Sequence, residues 1–176
     1  MTTLLTISGS LRAGSFNRKL LTEAVDLFGP ADRIDADLNL PLYDGDLEDR
    51  DGLPAAVIHL ADQIAAADAV IIASPEYNKA ITGVLKNALD WISRDKRGVL
   101  KDKPVAVMSA NAGRTGGETG QYMLRSCLVP LQARVLAGPG VMIANAAKEF
   151  ETGRLENERY LKTLGELMDR LRAEAS

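Results

Sequence analysis

The chain has 176 residues, 46% of them apolar and 26% charged, with a formal net charge of −3, which suits one sizeable core and an expected single domain over residues 1–176. Mixed charges leave no basic footprint for nucleic acid, no apolar run approaches a membrane span, and Met1-Thr2-Thr3 lacks the basic start of an export signal, so a cytoplasmic protein is expected. The single cysteine, Cys127, and single histidine, His59, exclude an intrachain disulfide and a cysteine or histidine metal cage.

Thr3-Leu4-Leu5-Thr6-Ile7 is short, apolar and rich in β-branching, which predicts a buried strand over about residues 3–9. The loop Gly9-Ser10-Leu11-Arg12-Ala13-Gly14-Ser15-Phe16-Asn17 follows. Gly9 permits a sharp turn, Ser10, Ser15 and Asn17 offer short polar side chains, and Arg12 offers a planar cationic fork suited to phosphate oxygens. A helix is predicted over 17–28, with Leu20, Leu21, Ala24 and Leu27 or Phe28 on one face, and helix N-termini favour anions. The pattern favours a phosphate site over an ordinary serine-rich cap. Two familiar phosphate loops do not fit. Ser15-Phe16 stand where a P-loop carries Lys and Ser/Thr. Asp35 and Asp37 are candidates for the ribose-binding acid of a dinucleotide fold, but the glycine spacing is wrong. A mononucleotide phosphate is the remaining reading.

A weaker strand is expected over 31–37, then a loop through Leu40-Pro41-Leu42-Tyr43-Asp44-Gly45-Asp46, then a helix over 54–67. His59 falls on the polar side of that helix and reads as a surface residue. Ala69-Val70-Ile71-Ile72-Ala73 is the clearest buried strand, and Ser74-Pro75-Glu76-Tyr77-Asn78 follows it. Pro75 stiffens this loop, and the polar groups beyond it suit the edge of a flat ring. Glu76 has the chemistry of a general base but no obvious partner. Thr82 is a good N-cap for a helix over 83–93, in which Trp91 is either core or a subunit contact. A fourth strand is predicted over 104–109, followed by the glycine-rich loop Asn111-Ala112-Gly113-Arg114-Thr115-Gly116-Gly117. Arg114 is either an exposed loop residue or a contact for a nicotinamide nucleotide. A helix over 117–131 holds Cys127 among apolar neighbours, a short fifth strand spans 134–137, and a last helix covers 157–173.

Five strands interleaved with helices predict an α/β, three-layer flavodoxin-like fold: a five-stranded parallel sheet in the order 2-1-3-4-5 with helices on both faces. Ligands of such sheets sit beyond the carboxyl ends of the strands, near the switch point between strands one and three. The first two loops follow those two strands, so motif and topology agree.

At this point the chain resembles the NAD(P)H-dependent FMN reductase family, which includes quinone, chromate and azo-dye reductases. The resemblance rests on Gly9-Ser10-x-Arg12-x-x-Ser15-x-Asn17, Pro41-Leu42-Tyr43-Asp44, Ser74-Pro75-Glu76-Tyr77-Asn78 and Gly83-x-Leu85-Lys86-Asn87-Ala88-x-Asp90-Trp91. It runs in order along nearly the whole chain and is weakest after Ala137. It implies bound FMN, with NADPH or NADH as co-substrate and a quinone, free flavin, chromate or azo compound as acceptor. Ser10, Arg12, Ser15, Phe16 and Asn17 would hold the phosphate end, Pro75, Glu76, Tyr77 and Asn78 would line the isoalloxazine, and Ser109, Gly113 and Gly116 would border its other side. It also implies a homodimer or homotetramer. Two departures from the family pattern are Lys79, where an aromatic or histidine often follows the asparagine, and Thr82, where proline is common. Hydride would pass from nicotinamide to flavin and then to the acceptor in ping-pong fashion, and Lys79 is a candidate cation for tuning the reduced flavin. The competing readings are a flavodoxin-type electron carrier, against which the mild charge counts, and a flavin-binding redox sensor.

Overall fold

A parallel sheet forms the middle layer of the computed structural model, which describes residues 1–175; Ser176, the last residue of the expected domain, lies outside the described residues. Its central strands are the apolar runs of the sequence: β1 (Thr3–Ser8), β3 (Ala69–Ala73) and β4 (Pro104–Ala110), with the polar β2 (Asp32–Asp35) at one edge. Side chains alternate across these strands, as strand geometry requires. Leu4, Ile71, Ala106 and Met108 face one core, and Leu5, Ile7, Val70, Ile72, Val105 and Val107 face the other.

The first core is closed by α1 (Phe16–Phe28) and α7 (Glu158–Glu174), whose Leu20, Leu21, Phe28, Leu164, Leu167 and Leu171 are buried against it. The second is closed by α3 (Ala55–Ala66), α4 (Gly83–Ile92) and α5 (Glu118–Leu128). Burying an aliphatic side chain contributes roughly 1.5–3 kcal/mol, so two such layers supply the main driving force for folding.

The strand order is β2-β1-β3-β4-β5, all parallel, as the sequence predicts. The fifth position, however, holds two strands instead of one. β5 (Arg134–Val135) pairs with Pro104 and Val105, and β6 (Val141–Ile143) pairs with Met108 to Ala110 further along β4. Between them lies Gly138-Pro139-Gly140, and proline has no N–H to give to a ladder.

Two helices lie where the sequence predicts neither helix nor strand. The four-residue α6 (Ala146–Glu149) follows β6. The seven-residue α2 (Gly45–Asp51) has no buried residue, so it lacks the apolar stripe by which helices are recognised. Its ends are nevertheless well made. Asp44 Oδ1 accepts the Asp46 N–H at 2.9 Å, Asp46 and Glu48 occupy the first turn, and Gly52 ends the helix at φ +76°.

The preceding segment is strapped to α4. Trp91 Nε1 and Asn87 Nδ2 both donate to Pro41 O, at 2.8 and 2.9 Å, and Asn87 Oδ1 accepts the Tyr43 N–H at 2.8 Å. Tyr43 meets the Trp91 ring edge-on at 4.9 Å. Trp91 is fully buried, so the sequence alternatives for it resolve to the core.

Candidate functional site

The carboxyl ends of β1, β3 and β4 each feed a loop, and the three loops enclose a cleft of about 360 Å³. It is lined from the first loop by Ser10, Arg12, Ser15, Phe16 and Asn17, from the second by Pro75, Glu76 and Tyr77, and from the third by Asn111, Gly113 and Thr115.

The first loop is held tightly at its root. The Gly9 N–H donates to Ala73 O at 2.8 Å, and Thr82 Oγ1 donates to Gly9 O at 2.6 Å while accepting the Leu85 N–H at the start of α4. A Cβ on Gly9 would stand 2.4 Å from Ser74 Oγ, so only glycine lets the first and second loops approach this closely. Thr82 therefore ties α4 to the first loop.

Ser15 is the N-cap of α1, and its Oγ accepts the Asn17 N–H at 3.2 Å. There is no acidic residue in the first turn of α1, so the positive end of the helix faces the cleft without a carboxylate of its own. Ser10 Oγ accepts the Arg12 N–H at 3.3 Å. Arg12 is exposed, and among the described residues its guanidinium has no hydrogen-bond or ion-pair partner. Asn17 has a different job. Its Nδ2 donates to Ala110 O and its Oδ1 accepts the Ala110 N–H, both at 2.9 Å, and it is almost fully buried. The Asn17 amide thus bridges α1 to the end of β4.

In the second loop, Tyr77 and Ala80 exchange both backbone hydrogen bonds, at 2.9 and 3.0 Å, around Asn78 and Lys79 at φ +52° and +65°. Two consecutive positive φ values are those of a tight type I′ turn. Tyr77 lines the cleft and is half exposed, while Asn78 and Lys79 sit at the turn's tip outside the lining. The Lys79 side chain is 73% exposed, with Nζ 3.7 Å from Glu76 Oε1. Glu76 Oε2 accepts the Gly120 N–H at 2.9 Å, so the carboxylate that resembles a general base is engaged at the start of α5.

The third loop is buttressed from below. Ser109 is buried, donates to Gly116 O at 2.5 Å and accepts from Gln121 Nε2 at 2.8 Å. Gly116 sits at φ +61°, where a Cβ would lie 2.6 Å from the Met142 carbonyl carbon. Neither Ser109 nor Gly116 lines the cleft; Gly113 does. Asn111 and Thr115 join the lining without having been singled out as site residues. Asn111 Oδ1 accepts the Glu76 N–H at 3.0 Å, and its Nδ2 is buried without a hydrogen-bond partner. A polar side chain directly after a buried strand was the available signal. Arg114 is exposed and outside the lining.

Asp35, the acid weighed for a dinucleotide site, is committed elsewhere. Burial works against its charged form, but the Thr6 hydroxyl and the Arg33 guanidinium outweigh it and hold the carboxyl below its ordinary value. His59 is exposed on α3, and Cys127 is half-buried against the second core.

Residues 2–148 match the family model described as NADPH-dependent FMN reductase. The chain is 45% identical over 159 residues to an NAD(P)H-dependent FMN reductase of Pseudomonas aeruginosa, covering 89% of this chain and 85% of the relative. It is 39% identical over 170 residues to a quinone reductase of Escherichia coli K12, covering 94% and 85%. Among solved structures it superposes on FerB, a flavoenzyme NAD(P)H:(acceptor) oxidoreductase of Paracoccus denitrificans, with a TM-score of 0.88 at 30% identity, covering 99% of this chain and 97% of that one.

Proposed function

We propose, for a chain that belongs to the NADPH-dependent FMN reductase family, that the cleft binds FMN and that the protein is an NAD(P)H-dependent oxidoreductase acting on quinones and similar acceptors. The observation that carries this reading is the meeting of an unpaired guanidinium and a helix N-terminus free of acidic residues with two loops at the switch point of the sheet. The donor set fits a phosphomonoester. Arg12 supplies charge and a planar fork, Ser10 and Ser15 supply hydroxyls, and the α1 dipole adds a favourable field.

Pro75, Glu76 and Tyr77 on one side and Asn111, Gly113 and Thr115 on the other would flank the isoalloxazine. The chemistry supplied by bound FMN is two-electron transfer between a nicotinamide donor and a quinone-type acceptor. The chain's own work is binding and orientation. Pro75 and the closed Tyr77–Ala80 turn fix one wall, and the Asn17 bridge to Ala110 fixes the floor. A single cleft open to solvent makes donor and acceptor take turns, which gives ping-pong kinetics.

The protein is further read as one domain over residues 1–176, as cytoplasmic, and as a homodimer or homotetramer. Among the described residues no helix is long and apolar enough to cross a membrane. Exposed Tyr77, Tyr122, Met123 and Val129 support self-association, the first of them at the cleft. Sedimentation equilibrium decides the oligomer: a monomer at micromolar concentration would refute it.

The function is tested by an absorbance spectrum after adding FMN and desalting, followed by anaerobic NADPH and then a benzoquinone. Flavin bands that persist, bleach with NADPH and return with the quinone are expected. Bands that persist but bleach with neither NADPH nor NADH would point to a carrier or sensor instead.

A further inference from the structure

Glu76 stands at the junction of all the parts that shape the cleft's second wall. Its backbone N–H donates to Asn111 Oδ1 of the third loop at 3.0 Å. Its Oε2 accepts the Gly120 N–H in the first turn of α5 at 2.9 Å, where the helix dipole favours a carboxylate. Its side chain is only 11% exposed. Gly120 is shaped to receive it: a Cβ there would lie 3.2 Å from Glu76 Cβ and 3.3 Å from its Cγ, tighter than ordinary contact. Directly after Glu76 comes the closed Tyr77–Ala80 turn, so the position of Tyr77 in the cleft follows from where Glu76 is anchored.

We propose that Glu76 is a positioning residue: its carboxylate latches the β3–α4 loop to the amino end of α5, and this latch sets the cleft in the shape that receives FMN. The inference rests on the FMN reading. Its content is hydrogen-bond acceptance and fit against Gly120, and proton transfer forms no part of it. Glutamine keeps an acceptor oxygen of the same reach, whereas alanine removes it. A like-for-like loss in both variants would therefore mean that negative charge, and not the latch, is what matters.

Gly120 gives the opposing test. It is the third residue of α5, where a helical backbone favours alanine over glycine. Gly120→Ala is thus expected to leave thermal stability close to wild type, the alanine offsetting the lost hydrogen bond, while its Cβ displaces Glu76 and weakens FMN binding. A merely structural role would move both quantities downward together.

The experiment combines FMN titration by fluorescence quenching with amide hydrogen exchange of the FMN-free protein, for wild type, Glu76→Gln, Glu76→Ala and Gly120→Ala. Glu76→Ala is expected to weaken FMN binding about tenfold, the scale of one net hydrogen bond, and to speed exchange of the Gly120 amide. Glu76→Gln is expected to stay within about threefold of wild type, since an acceptor remains. Unchanged FMN affinity in Glu76→Ala, or Gln and Ala variants equally weakened, would overturn the latch. Should wild type take up no FMN, the cofactor reading fails, and Gly120 exchange then judges the latch alone: unaltered exchange in Glu76→Ala refutes it.

Discussion

Arg12 and Asn17 belong to one loop-helix junction and face one cleft, yet their side chains answer to different partners. Arg12 has an unpaired guanidinium, so Arg12→Ala should remove a ligand contact and little else. FMN affinity is expected to fall by about 1–3 kcal/mol with the urea midpoint unchanged. Equal affinity in a calorimetric titration would remove Arg12 from the phosphate site. Asn17 spends its amide on both backbone groups of Ala110. Asn17→Ala would leave a buried donor and acceptor unpaired, which costs about 1–3 kcal/mol each in the worst case. A lowered urea midpoint is therefore expected for Asn17→Ala in FMN-free protein, where Arg12→Ala shows none. The sequence grouped both residues by polarity and spacing. It could not show that Ala110, 93 positions away, already satisfies one of them.

At the scale of elements, legibility followed apolar periodicity. β1, β3 and β4 are runs of buried residues, and α1, α4 and α7 carry clear stripes, so their types and order were readable. α2 carries no apolar stripe because none of its residues is buried, and its stability comes from caps and from Arg94, whose Nε lies 2.8 Å from Glu48 Oε2. The short fifth strand expected over 134–137 is present as β5, whereas β6 beyond the glycine–proline interruption is a three-residue ladder on β4 too short to carry a periodic signal. The segment before α7 had no periodic signal at all, and a charged fork holds it. Arg154 meets both carboxylate oxygens of buried Glu23 on α1, at 2.5 and 2.9 Å, and also Asp26 at 2.9 Å. Arg154→Ala would leave Glu23 charged and poorly paired in a dry site. A loss of about 1–3 kcal/mol is expected in urea unfolding, below the cost of a fully buried pair because the arginine itself is largely exposed. A second substitution, Glu23→Met, should recover part of it; if both single and double variants match wild type, the fork does not anchor this segment.

For the whole molecule, topology made the cleft's location readable, since two polar loops after adjacent central strands must meet at the switch point. What remained hidden was which polar groups are free and which are consumed, because that depends on partners brought together only by folding. The same distinction governs the response to acid. Asp95 is buried, and Arg97 donates to both of its oxygens and to Asp62. Those hydrogen bonds, opposed by burial, hold the Asp95 carboxyl below its ordinary value of 3.8. The folded state therefore takes up this proton less readily than the unfolded chain. The stabilisation is complete above about pH 4 and is lost as the pH falls through the folded value, and Asp35 on the edge strand β2 acts in the same direction. Urea midpoints should be flat with respect to these two groups from pH 7 to 5 and decline below pH 4. Asp95→Asn should start lower at pH 7 and lose less on acidification, so that the two curves converge. Parallel curves would mean that the proton is taken up elsewhere, and that the Asp95–Arg97 pair is a surface ornament of the fold instead of one of its supports.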